Sequence, residues 1–218
     1  MLTFCNHDTL YRMIDEIIEK KRILRDILLK ERDRIPAADA RATDAQIASH
    51  IFNANFYRDA GAVFVFINAV GEVDTMSIIH RAFADGKRVL VPRTKKDRIL
   101  ESVPVEEEEF FQRARTEWPR AFGIPEPPDR FPPADASDID LVIVPSLALD
   151  KMGYRLGYGG GYYDHFVATV RKQKKCPVFA AVQRAVFVRD EILPREPYDM
   201  AVDIIVTENG IVIPSSCV

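Results

Sequence analysis

Three features of the 218-residue sequence predict an α/β fold: a three-layer α/β/α sandwich with a mostly parallel central sheet, in a single domain. First, Leu141 to Pro145 and Ala62 to Ile67 are apolar at consecutive positions. That is the pattern of strands covered by helices on both faces. Second, apolar residues recur at helical spacing over 8–34 and again over 39–56. Third, a glycine-rich connection leads into helix-forming residues at 162–173.

The elements follow in order. In the first helix, 8–34, the apolar stripe is Met13, Ile14, Ile17, Ile18, Leu24, Ile27 and Leu28. Its polar side carries Lys20, Lys21, Arg22, Arg25, Lys30 and Arg32, for most of which a solvated face suffices. Lys21 and Arg25 stand four apart and so share one face. The second helix turns Ile47, Ile51 and Phe52 to one side. The strand 62–67 opens into Asn68 to Thr75, where Asp74 or Thr75 suits the N-cap of a helix running to Asp85. Glu72 thereby falls beyond the C-terminal end of a strand, where open α/β sheets place ligands. Gly86 to Arg93 reads as a turn, a short strand and a stop, with Arg93 facing the same crevice or held in a surface ion pair. Seven of the 14 prolines fall between Pro104 and Pro133, which disfavours long helices there. Glu106 to Glu109 is a charge run suited to solvent. After the strand at 141–145 come Arg155 to Asp164, RLGYGGGYYD, with four glycines in the five positions 157–161. Pro177 to Val182 is a further strand, and Asp203 begins another, 203–206, that can form an antiparallel edge.

Bulk properties exclude several classes. Net charge is −3, from 30 basic and 33 acidic residues, which gives no electrostatic case for nucleic acid. No apolar run approaches the roughly 18 residues of a membrane span. The N-terminus is acidic and helical in pattern, unlike a signal peptide. Cys5, Cys176 and Cys217 are far apart and in no metal spacing, which fits free thiols in a reducing cytoplasm. The four histidines are scattered and suggest no metal site.

The glycine run carries the chemistry. Glycine has no side chain to pack, so such a run serves positive φ or the close approach of a ligand. A glycine loop opening a helix makes a phosphate cradle, because the first amides of the helix point outward with partial positive charge. Arg155 would add a fork of donors and Asp164 a hard oxygen for Mg²⁺. The named nucleotide motifs do not fit. Gly-Lys-Ser/Thr is missing, and a G-x-G-x-x-G counted from Gly157 and Gly159 meets Tyr162.

Together with Asp150 and Gly153, this run resembles the signature of the 5-formyltetrahydrofolate cyclo-ligase (methenyltetrahydrofolate synthetase) family. The similarity spans about residues 20–208, within one cyclo-ligase-like domain, 1–218, whose stretch 104–133 is an irregular proline-rich loop region. It implies a cytoplasmic ligase of one-carbon metabolism that closes 5-formyltetrahydrofolate to 5,10-methenyltetrahydrofolate. ATP is the co-substrate, Mg²⁺ the metal, and ADP and phosphate are released. Lys21 to Arg25 is similar to the family's K-x-x-L-R element, which contacts ATP. Gly157, Tyr158, Gly159, Gly160, Gly161, Tyr162 and Tyr163, with Arg155, fall on the nucleotide loop. Glu72 lies in an E-V-D-T element that binds the folate, and Ile67 matches a substrate-contacting position. Tyr158, Tyr162 and Phe122, or Trp118, are the aromatic candidates for the folate ring. Asp164 and Asp199 match the metal positions, while Arg155 and Glu72 are the implied catalytic residues. The implied partner is a reduced folate, without nucleic acid or membrane, for a monomer or weak homodimer. Residues 104–133 are a candidate cover for the folate.

Two departures stand out. Many family members have Arg and Lys at the positions of Tyr158 and Gly160, so two loop cations are missing here. The family's F-x-x-Q before Leu193 does not align cleanly with Ala181 to Val188, and Gln183 is offset. The departures motivate one alternative, a non-catalytic folate- or nucleotide-binding paralogue. A sugar-phosphate isomerase or CoA-transferase-like enzyme would share the cradle without needing ATP.

Overall fold

The computed structural model describes residues 7–114, 116–174 and 177–215; the three cysteines lie outside them. In chain order the elements are α1 (His7–Arg32), α2 (Ala37–Asn53), α3 (Asn55–Arg58), β1 (Ala62–Val65), α4 (Met76–Ala84), β2 (Arg88–Thr94), β3 (Leu100–Pro104) and α5 (Glu107–Arg113). There follow β4 (Arg120–Ala121), β5 (Ile124–Pro125), β6 (Leu141–Val144), β7 (Ala148–Asp150), β8 (Arg155–Leu156), α6 (Tyr162–Gln173), β9 (Val178–Val182), β10 (Val188–Arg189), β11 (Ile204–Thr207) and β12 (Gly210–Val212).

Seven strands form the central sheet in the order β12-β11-β9-β6-β1-β2-β3. The inner pairs are parallel, and both outer pairs, β2 with β3 and β11 with β12, are antiparallel. The sequence suggested an edge reversal only near Ile204. The second arises because β2 and β3 join through a short hairpin that leaves no room for a crossover.

Successive residues of the inner strands feed opposite cores. Leu141 and Ile143 pack with α2, α4 and α5, while Val142 and Val144 pack with Phe166, Val167 and Val170 of α6. A third cluster joins Leu28 of α1 to Leu147, Ala148, Leu156, Phe187 and Leu193 around a small sheet ordered β10-β7-β8. Only part of the expected apolar stripe on α1 is buried. Leu28 is fully covered, whereas Met13, Ile18 and Ile27 are about half exposed. Among the described residues no helix is long and apolar enough to cross a membrane.

The small sheet changes one expectation. The glycine run does not follow the central strand β6 directly but leaves β8, which returns antiparallel along β7. Asp150 fixes this detour. Its buried carboxylate accepts from the backbone N–H groups of Met152, Tyr154 and Leu193 and from Arg195. Gly153 is required at φ +84, since a Cβ there would lie 2.8 Å from the Val202 carbonyl oxygen.

Candidate active site

Parallel strands leave their loops at one end of the sheet, and there the glycine loop opens α6. Gly159 and Gly161 hold φ values of +101° and +70°. A Cβ on Gly160 would come within 2.8 Å of the Tyr162 ring. The first helical bond is His165 N–H to the Gly161 carbonyl. The N–H groups of Tyr158 through Asp164 therefore meet no acceptor among the described residues. Seven consecutive donors are thus left open at the positive end of a helix, an arrangement suited to an anion.

Cations come to this loop from α1. Arg25 Nε donates to the Gly157 carbonyl at 2.8 Å. Lys21, one turn earlier on the same face, is buried between Glu196 at 2.8 Å and Asp199 at 2.5 Å. Arg22 between them turns outward to Glu19. Burial works to raise the Glu196 carboxyl, but its bonds to Lys21 and Tyr198 prevail and hold it below the usual range.

Arg155 corrects the expectation of an open phosphate fork. It belongs to β8 and its side chain is only 3% exposed. Nη1 donates to the Met200 carbonyl at 2.9 Å and Nη2 meets Asp164 Oδ1 at 3.0 Å. Burial lowers the guanidinium's proton affinity, against the pull of Asp164 and Asp199. Lys21 is corrected in the same way: both cations reach the two expected metal ligands, not open space. The reason is desolvation, since a buried cation needs a carboxylate partner.

The donor set still fits a magnesium ion. Asp164 takes Arg155 and the Met200 N–H on Oδ1, and Asp199 takes Lys21 and the Glu196 N–H on Oδ2. Each acid thus commits one oxygen to the protein and keeps one. Two hard oxygens beside a phosphate site are what Mg²⁺ takes, its remaining ligands being phosphate and water. Among the described residues no group of three or more acidic, His or Cys side chains forms a metal cage.

The expected folate side gathers around the loop after β1. Glu72 is half-buried and accepts from Ala69 N–H at 2.7 Å. Burial and the nearby Glu72 carboxylate push the phenols of Tyr158 and Tyr163 up, so both stay protonated donors. Tyr162 meets the ring of Phe122 edge-on at 6.3 Å, and Phe122 is 81% exposed with φ +53°. Ile67 is buried in the core beneath this loop. Trp118, offered as the alternative stacking residue, is buried against Phe110 and Phe131 and is corrected to a core residue. Arg93 is buried too. It pairs with Glu101 and donates to the carbonyls of Pro128 and Phe131, so it fastens the proline-rich segment to β2.

Several residues of this region were given no site role from sequence. Arg184 is buried, pairs with both oxygens of Asp44, and donates to the carbonyls of Gly71 and Glu72. Asp44 also accepts from Asp74 N–H. Gln183 bonds the Ser146 and Leu147 carbonyls. Arg32, assigned to solvent, instead donates to the Tyr158 hydroxyl, while its buried Nε finds no partner. Asp44 and Arg184 are 140 positions apart, and no spacing rule links them.

Comparison with known proteins agrees with the resemblance. Residues 17–208 match the 5-formyltetrahydrofolate cyclo-ligase family. The 5-formyltetrahydrofolate cyclo-ligase of Mycolicibacterium smegmatis is 30% identical over 194 residues, 88% of this chain and 96% of that relative. The Mus musculus 5-formyltetrahydrofolate cyclo-ligase is 28% identical, over 84% of this chain and 91% of its own. Among solved structures, the 5,10-methenyltetrahydrofolate synthetase of Aquifex aeolicus superposes with a TM-score of 0.73 at 25% identity, covering 89% of this chain and 93% of that one.

Proposed function

The chain belongs to the 5-formyltetrahydrofolate cyclo-ligase family, and on that premise we propose that it closes 5-formyltetrahydrofolate to 5,10-methenyltetrahydrofolate using ATP and Mg²⁺. With the family shown, the isomerase-like and CoA-transferase-like readings are dropped. The observation that carries the ATP reading is the row of seven acceptor-less amides at the head of α6, with Arg25 and the acids Asp164 and Asp199 at its rim.

In this reading the amides of residues 158–164 bind the β- and γ-phosphates, and Arg25 neutralises them from the Gly157 side. The formyl oxygen of the folate attacks the γ-phosphorus and ADP leaves. N10 then attacks the activated formyl carbon and gives up its proton to solvent, and the C–O bond to phosphate breaks. No protein nucleophile is needed. Bound Mg²⁺ would neutralise charge on the transferring phosphoryl group. Asp164 and Asp199 hold its place, and Arg155 and Lys21 act as positioning residues on those acids. Glu72 accepts a hydrogen bond from the folate and orients the formyl group. Tyr158 and Tyr163 donate, Tyr162 and Phe122 present ring faces to the pteridine, and Ile67 supports them from below. Residues 104–133, tied to β2 through Arg93, cover the folate side. A cytoplasmic location and a monomer or weak homodimer complete the reading.

Purified protein is mixed with 5-formyltetrahydrofolate and Mg-ATP, and methenyl absorbance is followed beside a folate-binding titration. Product formation supports the reading. Folate binding without product would instead make the chain a non-catalytic paralogue. Asp164→Asn and Asp199→Asn should each raise the Mg²⁺ concentration needed for half-maximal rate. An unmoved titration in both variants would remove the metal assignment.

A further inference from the structure

We propose that Arg98, on the hairpin between β2 and β3, is a nucleotide-binding residue that supplies the cation missing from the glycine loop itself. The inference rests on the ATP reading above and adds a residue to it. Residues 157–161 carry no basic side chain. Arg98 fills the gap from 63 positions earlier in the chain: a Cβ on Gly161 would lie 3.4 Å from its Cδ and 3.6 Å from its Nη1. The guanidinium also acts on Tyr198, beside Glu196 in the segment that carries Asp199. Yet Arg98 makes no hydrogen bond or ion pair among the described residues.

Two physical arguments favour a ligand. A cation held against the positive end of α6 gains nothing from the helix dipole, and an anion between them satisfies both. The hairpin also pays for this placement. Ile99 N–H bonds the Lys96 carbonyl, and Asp97 and Arg98 hold φ values of +59° and +61°. Such a turn favours glycine at its second central position, and a long side chain there is a costly choice. Backbone strain of this kind points to a use for the side chain that incurs it. Arg25 reaches the loop at Gly157 and Gly159, and Arg98 reaches it at Gly161, so the two would clasp a triphosphate from opposite ends.

The same turn provides the test. Arg98→Gly removes the cation and the backbone strain together. The expected result is an unchanged or higher melting temperature with a roughly 10-fold higher KM for MgATP. The KM for 5-formyltetrahydrofolate should stay put, and inhibition by inorganic tripolyphosphate should weaken by a similar factor. Arg98→Lys should recover part of the loss, and Lys96→Ala, on the same hairpin, should leave both constants unchanged. If Arg98→Gly leaves the MgATP constant and tripolyphosphate inhibition untouched while the unaltered protein turns over, the assignment of Arg98 is wrong and the cradle stands. If the unaltered protein shows no ATP-dependent turnover or tripolyphosphate inhibition, the cradle fails and takes this assignment with it.

Discussion

Two loops, one leaving β1 of the central sheet and one leaving β8 of the small sheet, are held in opposite ways. The loop after β1, residues 66–75, is stitched by side chains. Thr75 Oγ1 donates to the Phe66 carbonyl, Asn68 accepts from Thr75 N–H, and Arg184 grips the carbonyls of Gly71 and Glu72. These bonds pin the backbone on both sides of Glu72, so Glu72 is presented at a fixed place. The loop before α6, residues 157–161, is almost bare. Arg25 takes one carbonyl, Arg32 takes the Tyr158 hydroxyl, and the following amides have no partner. A loop stitched by side chains positions one side chain, whereas a bare one holds its backbone ready for a ligand. In the proposed function the first construction serves the folate and the second the phosphates.

The comparison can be broken most forcefully at Arg184. Arg184→Ala leaves Asp44 buried without its cation and should cost about 3–5 kcal/mol, read by urea unfolding. Its kinetic signature should be a higher KM for the folate with little change for MgATP, because only the stitched loop is released. The complementary change is Gly159→Ala, at φ +101° and without a buried partner to lose. It should lower kcat/KM for MgATP by about 10²-fold, through misdirected amides, while backbone strain at positive φ lowers stability by only about 1–3 kcal/mol. If instead it unfolds the protein while sparing nucleotide use, the bare loop is structural and the contrast disappears. Glu72→Gln should raise the folate KM by roughly 10-fold without moving the MgATP constant, since a charge-assisted bond becomes a neutral one.

The smallest effect lies at Glu126, where the proline-rich segment meets β2. Burial pushes this carboxyl above its ordinary value of 4.5, partly offset by bonds from the Thr94 hydroxyl and N–H. The folded state therefore holds its proton more tightly than the unfolded one. The resulting stability is fully present below about pH 4.5 and is lost as pH rises through the folded value. Glu126→Gln should flatten the stability profile above that point and leave stability near pH 7 unchanged or slightly higher. A steeper profile in the variant would contradict it.

Much of the fold was legible because it depends on local patterns. The consecutive apolar residues of β1 and β6 mark strands buried on both faces, and the spacing in α2 marks its buried side. The glycine run was legible as well, since no packing role could explain it. The long-range charge pairs were not. Arg184 resembles any loop arginine until Asp44 is brought beneath it, and Arg32 resembles its solvated neighbours on α1 until Tyr158 crosses it. Lys21 and Arg155 were recognised, but the direction in which they point was not.

By itself the sequence determined the alternation of helix and strand, the placing of Glu72 beyond a strand end, and the bare ribbon at 157–161. These follow from the period of apolar residues and from what glycine alone permits. Only the tertiary structure decided which charges meet. It turned Lys21 and Arg155 inward onto Asp199 and Asp164 and carried Arg98 across to Gly161. The physical reason is that a charge's partner and its exposure to water depend on chain segments far away in sequence, whereas a backbone preference is carried by the residue itself.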